Sequence, residues 1–209
     1  MKKVFLTLAV VAMALTACKS EKKEKVEVKE EVVVEKIADV NNVDVASSVI
    51  TWKGTKPGGA HDGVIMLKEG SLLLEEGKLS GGEFTIDMAS IKNTDLDAET
   101  GAKLVEHLIN PDFFDVAKFP TSKFVISSVE EKEGVLHVTG NLTLKDVTKS
   151  ITIPAKLMTE GNVTTFKSET FIIDRADFNV KYGSKSFFDN LKDKFIDDNM
   201  EISFEVKTK

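Results

Sequence analysis

From about residue 44 to the C-terminus, apolar side chains return at every second position. Ile50 and Trp52 share a face, and Phe84, Ile86 and Met88 alternate with Thr85 and Asp87. Phe124 and Ile126 do the same, as do Leu142 and Leu144 against Asn141, Thr143 and Lys145. Ile151 and Ile153 flank Thr152, and Ile202, Phe204 and Val206 alternate with Ser203 and Glu205. Successive side chains of a strand point to opposite faces, so this period describes strands with one dry and one wet face. Turn signals separate the runs: Lys56-Pro57-Gly58-Gly59, Lys68-Glu69-Gly70, Glu76-Gly77, Gly81-Gly82, Glu133-Gly134 and Glu160-Gly161-Asn162. Many short, regularly spaced strands of this kind build an all-β sandwich or an antiparallel barrel.

One helix breaks the pattern. Asp97 or Thr100 can cap a run from Glu99 to Ile109 whose apolar stripe is Leu104, Val105, Leu108 and Ile109. Asn110-Pro111 ends it. The Phe113-Phe114 pair that follows is too apolar for a free loop and is expected to plug something, and Phe187-Phe188 looks similar. Phe113 and Phe114 are the first candidates for a cavity wall, supported by Trp52, Phe84, Ile86, Phe124 and Phe166. The pattern alone leaves a ligand cavity and a filled core equally open.

The N-terminus carries an address. Met1-Lys2-Lys3, an apolar run from Val4 to Leu15 and small residues before Cys18 make a secretory signal peptide over 1–17. Its apolar run is too short to span a bilayer permanently. Leu15-Thr16-Ala17-Cys18 resembles the bacterial lipobox, in which the cysteine thiol is lipidated and becomes the first residue after cleavage. Cys18 is the chain's only cysteine, so no other role competes for it and no disulfide is available to the domain. Acyl chains add about 0.8 kcal/mol of anchoring per buried methylene. The expected location is outside the cytoplasm, lipid-anchored to a bacterial membrane, the outer one, and facing the periplasm or the cell surface. Residues 18–43 are nearly all Lys, Glu and Val after the cysteine, which suits a flexible tether of roughly 25–30 Å as a coil. The rival reading is an extra strand at Val26-Glu27-Val28 or Val32-Val33-Val34.

Charge and motifs narrow the function. The chain of 209 residues has a net charge of −6, and loss of Lys2 and Lys3 makes it more acidic, which argues against a nucleic-acid partner. Three dispersed histidines and no free thiol beyond Cys18 argue against a metal site. Asp95-Leu96-Asp97-Ala98-Glu99 with Glu106 faintly resembles a calcium loop, but Thr100 stands where the sharp turn needs Gly. Arg175 is the sole arginine, a planar fork suited to an anionic head group or to a structural bridge with Asp87, Asp174 or Asp177. His61, beside Gly58-Gly59-Ala60, can donate to a polar head at a cavity mouth or bond a loop backbone.

Several segments taken in order resemble the YceI-like family of exported lipid-binding proteins. They are Ser48 to Gly54, His61-Asp62-Gly63, Gly81 to Asp87, Asp112 to Asp115 with Phe119-Pro120-Thr121, Thr139 to Thr148, and Ile173 to Phe178. Asp146 stands where the family usually has Gly, and Asp tolerates turn conformations. The resemblance implies a lipocalin-like eight-stranded antiparallel barrel over 44–209 with one main helix. It also implies a long amphiphile, a polyisoprenoid or prenyl quinone, held in an apolar cavity for transport, storage or sequestration, with no cofactor and no chemistry. The alternatives are a filled barrel acting as an interaction module, or an isoprenoid-acting enzyme with Asp87 and His61 as an acid–base pair. The chain has no nucleophile elbow, no zinc-protease motif and no phosphate loop. Oligomeric state is not legible in the sequence.

Overall fold

The computed structural model describes residues 23–34 and 42–209. Cys18 and the signal segment lie outside the described residues. Eleven strands form one sheet: β1 (Glu24–Lys25), β2 (Val28–Lys29), β3 (Val49–Lys56), β4 (Gly59–Glu75), β5 (Lys78–Asn93), β6 (Thr121–Lys132), β7 (Val135–Leu144), β8 (Val147–Glu160), β9 (Val163–Ser168), β10 (Phe171–Asp174) and β11 (Asn199–Lys207). Strands β3 to β9 follow one another around the wall, and β11 pairs with both β9 and β3, closing an eight-stranded antiparallel barrel. The barrel begins slightly before the expected boundary: Val43 is fully buried and bridges Thr208.

Two-residue hairpins join β4 to β5 and β6 to β7. Glu76 (φ 50°) with Gly77 (φ 77°), and Glu133 (φ 53°) with Gly134 (φ 77°), take positive φ at both central residues, as a type I′ turn requires. Two expected turns are not turns. Lys68-Glu69-Gly70 lies inside β4, where the register against β5 shifts between Leu67 and Glu69. A local bulge keeps so long a strand bent around the barrel. Gly81-Gly82 lies inside β5, and a Cβ on Gly82 would stand 2.6 Å from the Ser71 carbonyl oxygen. Glycine there serves close backbone approach rather than chain reversal.

The helix α1 spans Ala98–Ile109, and the Asp97 carboxylate accepts from the Glu99 and Thr100 backbone N–H groups, the standard way to satisfy donors at a helix start. It packs against β5. Lys103 pairs with Glu99 one turn away on its outer side.

Residues 23–34 do not behave as a free tether. β1 pairs in parallel with β10 (Glu24 opposite Phe171), and β2 pairs antiparallel with β8 (Val28 opposite Ile151). The pairing falls on either side of Val26-Glu27, at Glu24–Lys25 and Val28–Lys29, so only Val28 of the expected Val26-Glu27-Val28 strand is in a ladder, while Val32-Val33-Val34 has no strand pairing, and Val33 is 96% exposed. The cause is the wall itself. β9 and β10 are separated by Glu169 and Thr170, and β10 has no ladder with β8 among the described residues. Unpaired edge groups on both strands invite a third chain segment.

Candidate functional site

The barrel holds a cavity of about 700 Å³. Its wall alternates as the sequence does. Ile50 and Trp52 on β3, Phe84, Ile86 and Met88 on β5, Leu142 and Leu144 on β7, Ile151 and Ile153 on β8, and Ile202, Phe204 and Val206 on β11 all turn toward it. Phe84 and Phe166 stack with centroids 6.0 Å apart, and Phe166 meets Phe204 at 4.8 Å. Burial of many aromatic and branched side chains on one inner face drives closure, yet their shapes leave the axis open.

Trp52, His61, Phe84, Ile86, Phe113, Phe114, Phe124, Phe166 and Arg175 all line this one cavity. Phe113 is buried and meets Phe114 edge-on at 4.9 Å. Phe113 is held from above by α1, through His107 at 5.8 Å. The Phe187-Phe188 pair does not plug anything. Both side chains are about half exposed, at 41% and 49%, because their loop turns them outward beyond Ser184.

Polar groups collect at one end, where the β3–β4 hairpin, α1 and the segment after β10 meet. Lys53, Lys56, His61, His107, Tyr182, Asp193, Lys194 and Asp197 stand there. His61 Nδ1 lies 3.0 Å from Asp95 Oδ2, and Asp95 also accepts from the Asp62 backbone N–H and the Asn93 side chain. These bonds, the His61 contact foremost, pull the Asp95 carboxyl down to about 2. His61 is thus placed with Asp95, while Asp87 accepts from the Ala89 backbone N–H beyond the bulge. Asp97 is the helix cap and Asp95 the loop tie, so the acidic run that resembles a calcium loop is engaged in backbone and side-chain bonds.

Arg175 is fully buried and staples the rim. Its Nε donates to Asp197 O at 3.1 Å, Nη1 to Val180 O at 2.7 Å and Nη2 to Ile196 O at 3.0 Å. Nη2 also lies 3.2 Å from the Asp198 carboxylate, so its bridging acid is Asp198 rather than Asp87, Asp174 or Asp177. The fork joins both ends of the 180–198 segment. Burial pushes the guanidinium pKa down, and Asp198 pushes it back up. Thr55 ties the same segment to β3 through Asp197, with its hydroxyl donating to the carboxylate at 2.6 Å.

Sequence reasoning missed Tyr182, Phe195 and Ile196, which close the rim. They sit in irregular backbone with no period to read. It also missed Phe171 and Ile173, since a strand of four residues shows too little alternation.

The sequence model of the YceI-like domain matches residues 42–208, most of the chain. Protein YceI from Salmonella arizonae and from Salmonella newport are each 47% identical over 57 residues, which is 27% of this chain and 30% of theirs. The chain thus aligns with under a third of those relatives' length. Burkholderia cenocepacia BcnA superposes with a TM-score of 0.66 at 22% identity, covering 80% of this chain and 100% of that one. A polyisoprenoid binding domain from Saccharophagus degradans, implicated in plant cell wall breakdown, superposes at 0.62 with 13% identity, covering 79% and 95%. The domain model spans most of the chain, and the chain belongs to the YceI-like domain family.

Proposed function

We propose that this protein is an exported lipoprotein, anchored through Cys18, that holds one long amphiphilic lipid in its barrel for transport, storage or sequestration. The carrying observation is the cavity: about 700 Å³, walled by Phe, Ile, Leu and Met, with its polar groups gathered at one end. Such a space suits a long hydrocarbon tail with a polar head at the rim, and its size is that of ordinary small-molecule sites. The polyisoprenoid binding domain of similar fold supports a prenyl chain or prenyl quinone as the guest. Among the described residues, the one serine that lines the cavity, Ser122, donates to the Thr143 carbonyl rather than to a histidine. The acidic chain argues against nucleic acid as a partner.

The test is native mass spectrometry of residues 19–209 produced in a bacterium, then solvent extraction of whatever is bound. A stoichiometric prenyl lipid is expected. Ile153→Trp, which puts an indole into the cavity from β8, should strip that lipid while leaving the melting temperature within a few degrees. A protein that is empty and takes up no added prenyl quinone, prenyl phosphate or fatty acid would be a filled interaction module instead. An isoprenoid-acting enzyme would turn its lipid over and lose that turnover in His61→Ala without losing its fold.

A further inference from the structure

The wall of the barrel is split between β8 and β10. β9 pairs with β8 only from Ala155 to Glu160, and β10 pairs with β11 on its other side. Ile151 and Ile153 form one inner lip of the split, Phe171 and Ile173 the other, and all four line the cavity. Residues 24–29 fill the gap, in parallel with β10 and antiparallel to β8. Val26 is sunk into the core at 6% exposure, and its backbone N–H donates to Ile172 O at 2.9 Å.

The rest of this strap is held lightly. Each of its two ladders has only two residue pairs. Its ion pairs, Lys23–Glu201, Lys25–Asp174 and Lys149–Glu30, face solvent. Solvent-facing pairs of that kind hold weakly. At its far end the Asn141 side chain accepts from the Val32 backbone N–H at 3.0 Å and donates to the Val32 carbonyl.

We infer that the split is a second, lateral entrance to the cavity for the hydrocarbon chain of a lipid, and that residues 23–34 are its closure; this rests on the lipid-binding reading above. Strands lie about 4.7–4.9 Å apart, so lifting one strand out leaves two edges roughly 10 Å apart, the width an extended chain now occupies. The inner lips are apolar throughout. A tail entering there passes straight from bilayer to cavity, whereas end-on entry drags it past Lys53, Lys56, Asp193, Lys194 and Asp197. Lys23 also follows Cys18 by five residues, a reach of at most about 18 Å. An acylated Cys18 therefore keeps the seam beside the membrane, with Val32 and Val33 exposed next to it.

The chain from Lys19 onward retains every described residue and has no cysteine. Lys25→Cys with Ile172→Cys, and Lys29→Cys with Ser150→Cys, join direct strand partners on both sides of the strap. The four-cysteine protein is oxidised, its crosslinks are verified by mass, and its uptake of nitrobenzoxadiazole-labelled geranylgeraniol from phosphatidylcholine vesicles is followed. Expected is uptake slower by at least about tenfold than in the same protein reduced, with equal final loading and full recovery on adding reductant. Asn141→Ala, which loosens the strap without touching the cavity, should speed uptake. Equal rates oxidised and reduced, with normal loading, would remove the lateral entrance and leave the carrier reading intact. No loading even when reduced would remove both.

Discussion

Asp95 ties a loop, and acid should reveal it. Its carboxyl is lowered from 3.8 to about 2, first by the His61 hydrogen bond and then by those from Asn93 and the Asp62 backbone. A carboxylate lowered on folding lends stability that is present above its unfolded value and is lost as pH falls through the folded one. Asp95→Asn should therefore melt below the wild type at neutral pH. The gap should hold down to about pH 4 and close as the pH approaches 2. Melting curves of both proteins across pH 2–7 check this, and a gap independent of pH would assign the loss to packing. Arg175 belongs to the same scale. Its rarity in the sequence singles it out, but three of its partners are backbone carbonyls, which carry no residue type to read.

At the level of elements, strand crossings are fitted around single glycines. A Cβ on Gly140 in β7 would stand 2.5 Å from Cζ of Phe124 and 2.6 Å from the Val125 carbonyl oxygen, both on β6. Gly140→Ala should destabilise by about 1–3 kcal/mol, the range for overpacking a filled site. Phe124→Leu in the same chain should return part of that loss, since it withdraws the ring but not the carbonyl. Urea unfolding of the single and double variants measures both effects, and no recovery would place the clash wholly at the backbone. Alternation and Glu-Gly dipeptides made most wall strands and their type I′ turns readable, and capping chemistry made α1 readable to within a residue of its start. The bulge in β4 and the glycines of β5 were misread as turns, because glycine marks close approach and chain reversal alike.

The whole molecule is a barrel of one family with a strap the family's domain span does not include, since the match begins at residue 42. Six of the nine residues proposed from sequence lie on strands and share one cavity because period two fixes which side chains face inward on every strand at once, while Phe113, Phe114 and Arg175 reach it from outside the strands. The valines of 26–34 left an extra strand open as the rival to a tether, but composition could not decide between them, because the fit depends on a gap created some 120–150 residues later in the chain. Residues 42–209 alone should fold into the same barrel, yet melt below residues 19–209. Loss of Val26 burial should cost about 1.5–3 kcal/mol. Circular dichroism melts of the two lengths test it, and coincident melts would mean the strap adds nothing to the folded state.

The pairing of Glu24 with Phe171 also orders events in time. A chain made from its N-terminus presents the strap first and its β10 partner almost last. Until Phe171 and Ile172 have emerged, residues 24–29 have half of their slot missing, and closing so long a loop is the slow kind of contact. The earliest part of this domain to leave the ribosome is therefore the last to be seated, and its valines must wait unpaired through nearly the whole of synthesis.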